Sequence, residues 1–161
     1  MSSRTEEARR FRRMTAAAGR NRDASRAAVE IMRAASRVSR TINAALAAAD
    51  LTLPQFNILM ELASTPGASL PLYDVNARLI SSAPNTSWLT TKMQESGLVT
   101  KTRAHRDARV VELALTDDGW AALEGAMPLV FAAEIDLLSD YTRDQLRALA
   151  QLLGKLTTAE Q

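Results

Sequence analysis

Apolar residues recur at spacings of three and four along most of this chain, and two short runs, 98–102 and 110–115, read instead as strands. Between about 24 and 49, Ile31, Val38, Ile42 and Leu46, with Ala35 and Ala45, form one stripe of a long helix. Thr52 ahead of Leu53 and Pro54 is a cap followed by proline in the first turn. It opens a helix to about Ala63 whose inward positions are Phe56, Leu59, Met60 and Leu62. Ser64-Thr65-Pro66-Gly67 then stops the chain and turns it. Residues 71–79 predict a short helix with Leu72, Val75 and Leu79 inward, and Ile80-Ser81-Ser82 a turn. Ser82 caps a second helix over 83–96, which Gly97 terminates. Beyond the strands, Thr116 or Asp117 caps a helix carrying Trp120, Leu123, Met127, Val130, Phe131 and Leu138, with Pro128 bending its axis. Thr142 and Gln145 form a capping box for the last helix, to about Leu156. Leu146, Leu149, Leu152, Leu153 and Leu156 give it an apolar face.

Two short helices followed by a two-stranded hairpin make a winged helix-turn-helix, so the fold class is mainly α with a small β-hairpin wing. The hairpin tip holds Arg103, His105, Arg106, Asp107 and Arg109 and no large apolar residue. Such a tip gains nothing by packing inward, and its chemistry suits phosphate or a narrow groove. One of Arg106 or Arg109 reaches a minor groove while the other serves phosphate or structure. Asp107 orients a neighbouring arginine.

Composition sharpens this picture. The chain has 161 residues, 47% of them hydrophobic and only 4% aromatic, which favours helices around one core or a compact pair of subdomains. It has no cysteine and one histidine, so neither a thiol chemistry nor a dedicated metal site is expected, and no cofactor is called for. No run of about 18 apolar residues offers a membrane span, and Ala44–Ala49 is too short for a secretory signal. A cytoplasmic location is expected. The net charge of +2 hides an asymmetry. Residues 1–40 hold eleven arginines against four acids, a net +7, which leaves −5 over residues 41–161. Within that acidic remainder, residues 76–109 hold six cations against Glu95 and Asp107. Net positive charge is thus confined to the leading segment and the winged motif, as a polyanionic partner requires. Residues 1–23 read as a basic arm, mobile or partly helical, which is either a solvated tail or a strap along phosphates.

At 100° per residue from Ala83, the positions Thr86, Leu89, Thr90 and Met93 share one side of the second helix and hold it inward. Pro84, Trp88, Thr91 and Glu95 point the opposite way, with Asn85, Ser87 and Lys92 on the flanks. Asn85, Ser87, Trp88 and Thr91 can therefore address base edges, while Lys92 reaches phosphate. Ser82 contacts phosphate together with the helix N-terminus. Asparagine pairs with adenine, threonine methyls and indole suit the thymine methyl, and no arginine on this face grips guanine. Double-stranded DNA with an A/T-leaning site is the expected partner. Trp88 has the competing reading of a partly buried core residue, and Asn85 that of a first-turn stabiliser.

The segments LTLPQFNILMELA (51–63), SAPNTSWLTTKMQESGLV (82–99), HRDAR (105–109) and VVELALTDDG (110–119) resemble the MarR family of bacterial transcription regulators. The resemblance runs from about Leu51 to Leu123. It implies a homodimer in which the N-terminal helix and the last two helices interlock, each protomer presenting one winged helix. The organisation is then a basic arm over 1–23, a dimerisation helix over 24–50, a DNA-binding lobe over 51–116 and C-terminal dimerisation helices over 117–161. The resemblance further implies that Arg109 enters the minor groove, that Asp107 holds the wing, and that a small aromatic or phenolic ligand binds between the dimerisation helices and the DNA-binding lobe. Arg37, Phe56, Met60 and Trp120 are the ligand-site candidates, each also readable as core or interface. Two departures stand out: the turn at 80–82 lacks the family's frequent glycine, and Trp88 occupies a commonly basic position.

The expected function is that of a transcription regulator, in the repressor sense, on a pseudo-palindromic operator. The alternative is a winged-helix protein-interaction module whose basic arm engages an acidic partner. An enzyme is not expected: the chain shows no nucleophile–base pair, no metal-ligand spacing and no glycine-rich phosphate loop.

Overall fold

The structure is a computed structural model, and it describes residues 3–17, 22–79, 86–103 and 109–157. Seven helices, α1 (Ser3–Ala17), α2 (Arg22–Ala47), α3 (Leu53–Ala63), α4 (Leu72–Arg78), α5 (Thr86–Glu95), α6 (Asp117–Leu137) and α7 (Arg143–Thr157), are found among these residues. Three strands, β1 (Ser69–Pro71), β2 (Val99–Arg103) and β3 (Val111–Leu115), complete the set. The chain divides into two compact units, residues 1–38 and 39–161.

In the first unit, residues 3–17 of the basic arm are helical. Residues 3–17 contain neither glycine nor proline, and alanine, arginine and glutamate are strong helix formers. The Thr15 hydroxyl folds back onto the Phe11 carbonyl at 3.0 Å and the Arg12 carbonyl at 3.2 Å. Phe11, Met14 and the arginines from 9 to 13 are exposed. In the part of α2 belonging to this unit, Ile31 and Val38 are also exposed, so the stripe predicted along α2 is covered only further on.

The second unit contains the core. Ile42 and Leu46, at the end of α2, pack with Leu51, Phe56, Ile58, Leu59 and Leu62, and with Val75, Met93, Val99, Leu113, Leu123, Ala126 and Val130 from the later elements. Asn43 ties α2 to α3: its Nδ2 donates to the Ser39 carbonyl at 2.7 Å, and its Oδ1 accepts from the Leu53 amide at 3.3 Å. Gln55 Oε1 accepts from both the amide and the hydroxyl of Thr52, each at 2.9 Å, so the predicted start of α3 is anchored from two sides. One prediction for α3 needs correction. Ile58 is fully buried, whereas Met60 is only half-buried. The reason is that α3 touches α4, α6, β1 and β3, so its covered surface is wider than one stripe.

The sheet order is β1-β3-β2, all antiparallel. The hairpin pairs Val99 with Leu115 and Lys101 with Leu113, as the two strand-like runs predict. The third strand was not expected. Ser69–Pro71 lies against β3 with Leu70 opposite Leu113, and both leucines are buried. The sheet thereby anchors the base of the wing in the core.

Candidate nucleic-acid interface

The two faces of α5 differ as the sequence predicts. Thr86, Thr90 and Met93 are buried and Leu89 half-buried, while Ser87, Trp88, Thr91, Lys92 and Glu95 are exposed. Burying a threonine hydroxyl is costly unless it is hydrogen-bonded, and Thr90 Oγ1 donates to the Thr86 carbonyl at 2.8 Å. Trp88 is 58% exposed, which removes the partly buried core reading and leaves the indole on the outward side of the helix. Lys92 is held on the helix surface by Glu95, Nζ to Oε2 at 2.7 Å. That exposed pair contributes only about 0.3–0.5 kcal/mol, little enough for a phosphate to compete for the ammonium.

Two joints fix the helix relative to the wing. At its C-terminal end, Gly97 adopts φ +77°, a conformation that favours glycine, and the Leu98 amide returns to the Met93 carbonyl at 2.9 Å. Alongside the helix, Lys101 of β2 reaches across: its Nζ donates to Thr91 Oγ1 at 2.8 Å and to the Ser87 carbonyl at 3.3 Å. Thr91 Oγ1 in turn donates to that same Ser87 carbonyl at 2.9 Å. Burial pushes the Lys101 ammonium below the usual lysine value. The sequence counted Lys101 among the localised cations but offered no sign of this contact, because it is made ten and fourteen positions away.

Arg103 closes β2 and Arg109 leads back toward β3, both exposed. Ser82, Pro84 and Asn85, together with His105, Arg106 and Asp107, lie outside the described residues. The ligand-site candidates differ in burial. Phe56 is buried in the core, Met60 is half-buried on the same helix, and Trp120 on α6 is 38% exposed. Arg37 is exposed in the first unit. Among the described residues no group of His, Asp or Glu side chains is placed to hold a metal ion, and no helix is long and apolar enough to cross a membrane.

A capped helix presenting a polar, indole-bearing face beside a cationic hairpin defines the class: a winged-helix protein built to meet a nucleic acid. A family model for the MarR family matches residues 51–111. The chain is 31% identical over 115 residues to the HTH-type transcriptional repressor Rv2887 of Mycobacterium tuberculosis, covering 71% of this chain and 81% of that protein. Two solved structures share the fold. Sco3205, a MarR family transcriptional regulator from Streptomyces coelicolor in complex with DNA, matches with a TM-score of 0.79 at 18% identity, over 88% of this chain and 90% of that one. The organohalide sensing RdhR-CbdbA1625 transcriptional regulator in its 2,4-dichlorophenol bound form matches with a TM-score of 0.74 at 20% identity, over 82% and 78%. The chain belongs to the MarR family of transcription regulators, a family of DNA-binding regulators and not of enzymes.

Proposed function

We propose that this regulator is a repressor that binds a pseudo-palindromic, A/T-leaning operator as a homodimer and is released by a small aromatic or phenolic ligand. The observation that carries the reading is the outward face of α5, where Trp88, Ser87 and Thr91 stand exposed on a helix fixed at its C-terminal end and along its side. Pro84 and Asn85, which precede Thr86 in the sequence, are assigned to the same DNA-contacting set, and Ser82 and Lys92 to phosphate. Arg103, Arg106 and Arg109 serve the backbone and the minor groove from the wing, with Asp107 shaping it.

The dimerisation role assigned to α2, α6 and α7 is supported by their uncovered apolar side chains. In α7 no residue is buried, and Leu152 and Leu156 are 63% and 58% exposed. Ile135 near the end of α6 is 72% exposed. Water-facing leucines on an amphipathic helix favour burial against a second copy. A two-fold dimer then addresses one face of the duplex, with half-sites about 10 base pairs apart. The ligand acts by binding better to a dimer whose helices no longer match that spacing, an equilibrium shift that requires differential affinity. Arg37, Phe56, Met60 and Trp120 are the individual residues to test for its binding, and the neighbour bound to 2,4-dichlorophenol supports a compound of that kind.

Selection of duplexes from a random-sequence pool tests this function. Enrichment of two inverted A/T-leaning half-sites about one helical turn apart is expected. Enrichment of nothing above the starting pool, with binding at low salt only, contradicts it.

A further inference from the structure

We infer that Lys101 is a specificity-determining positioning residue, which commits the Thr91 hydroxyl so that this turn of α5 accepts some base edges and rejects others. The inference rests on the DNA-binding reading and assigns a task to a residue outside the contact set named for it. A threonine hydroxyl has one proton to give and two lone pairs. The proton of Thr91 goes to the Ser87 carbonyl at 2.9 Å, and one lone pair receives the Lys101 ammonium at 2.8 Å. Toward DNA there remain one lone pair and the γ-methyl group. Thr91 can therefore meet a thymine methyl, or accept from the exocyclic amine of adenine or cytosine. It cannot donate to guanine, whose major-groove edge offers only acceptors. Lys101 also donates to the Ser87 carbonyl at 3.3 Å, so Lys101, Thr91 and Ser87 form one closed triangle of hydrogen bonds.

Freed of the lysine, the Thr91 hydroxyl is no longer held from the β2 side, so it can rotate and turn its proton from the Ser87 carbonyl toward DNA, and the rejection of guanine weakens. Charge alone does not replace the ammonium. A guanidinium is a planar fork, whereas an ammonium is a compact point able to reach both acceptors from one position. Lys101→Arg thus separates position from charge, and Lys101→Met removes both while retaining an apolar stem.

The test uses the duplex selected from a random pool by the wild-type protein, its single base-pair substitutions, and two salt concentrations. Wild type, Lys101→Met, Lys101→Arg, Thr91→Val and the double variant Lys101→Met with Thr91→Val are titrated against each. Lys101→Arg and Thr91→Val are expected to lose roughly ten-fold discrimination at the same base pair, with the double variant losing no more than either single one. Lys101→Arg should keep the wild-type salt slope. The inference is overturned when Lys101→Met weakens every duplex by one factor and lowers the salt slope by about one, while Lys101→Arg behaves as wild type; Lys101 is then a phosphate contact. Selection of no consensus by the wild-type protein overturns the DNA reading itself, and the inference with it.

Discussion

The Thr116 hydroxyl donates to the Gly97 carbonyl at 2.6 Å and accepts from the Gly119 amide at 2.9 Å. One side chain thereby caps α6 and holds the end of the exposed helix α5, so the last turn of one cannot shift without disturbing the first turn of the other. Thr116→Ala is expected to cost about 1–2 kcal/mol, the loss of a cap together with a tertiary hydrogen bond. Thr116→Ser, which keeps the oxygen, should lose well under half of that. Urea unfolding of the three proteins checks it, and equal stability of wild type and Thr116→Ala would show the joint to be incidental.

Gly119 is buried against the same joint. A Cβ there would collide with the Leu98 carbonyl oxygen and lie 2.9 Å from Leu115 Cδ2. The backbone oxygen cannot step aside, so α6 and the base of the wing must separate. Gly119→Ala should destabilise by about 1–3 kcal/mol, whereas Gly125→Ala, in open space on the same helix, should stabilise slightly through helix propensity. Thermal melting of the pair distinguishes the two positions; indistinguishable melting temperatures contradict the packing argument.

On the DNA-facing side, base reading and phosphate contact should come apart. Trp88→Ala is expected to cost roughly ten-fold in preference for the selected duplex over a shuffled one. Arg109→Ala should weaken binding to both duplexes and lower the salt slope by about one. Affinity titrations at two salt concentrations report both effects, and loss of an equal factor on both duplexes for Trp88→Ala contradicts its place in base reading.

Self-association should depend on the uncovered face of α7. Leu152→Glu with Leu156→Glu places two carboxylates where water-facing leucines now stand. Sedimentation is expected to show a dimer for the wild-type protein and a monomer for the variant, with operator affinity lost alongside. A variant that remains dimeric places the interface elsewhere.

Local signals made much of this molecule readable before its structure. The Thr52, Thr116 and Thr142 caps, the two faces of α5 and the glycine stop at Gly97 each follow from neighbouring residues, and each is found where expected. Three features were not readable, for a shared reason. Three residues are too few to display an alternation, and Ser69–Pro71 is a strand only because β3 lies beside it. Ile58 is buried because α3 has neighbours on several sides, which its own periodicity does not record. Lys101 looked like one more cation; its task comes from Thr91 and Ser87 standing opposite in space. For the basic arm the sequence left two readings open, mobile or partly helical, and residues 3–17 are helical.

Two copies of this chain are proposed to read one DNA sequence together. Fluorescence-anisotropy titration of the selected duplex and a shuffled duplex of equal composition, at two salt concentrations, tests it most directly. Saturation at two chains per selected duplex is expected, with a preference over the shuffled one that persists at the higher salt. Equal affinity for both duplexes, vanishing together as salt rises, would contradict it.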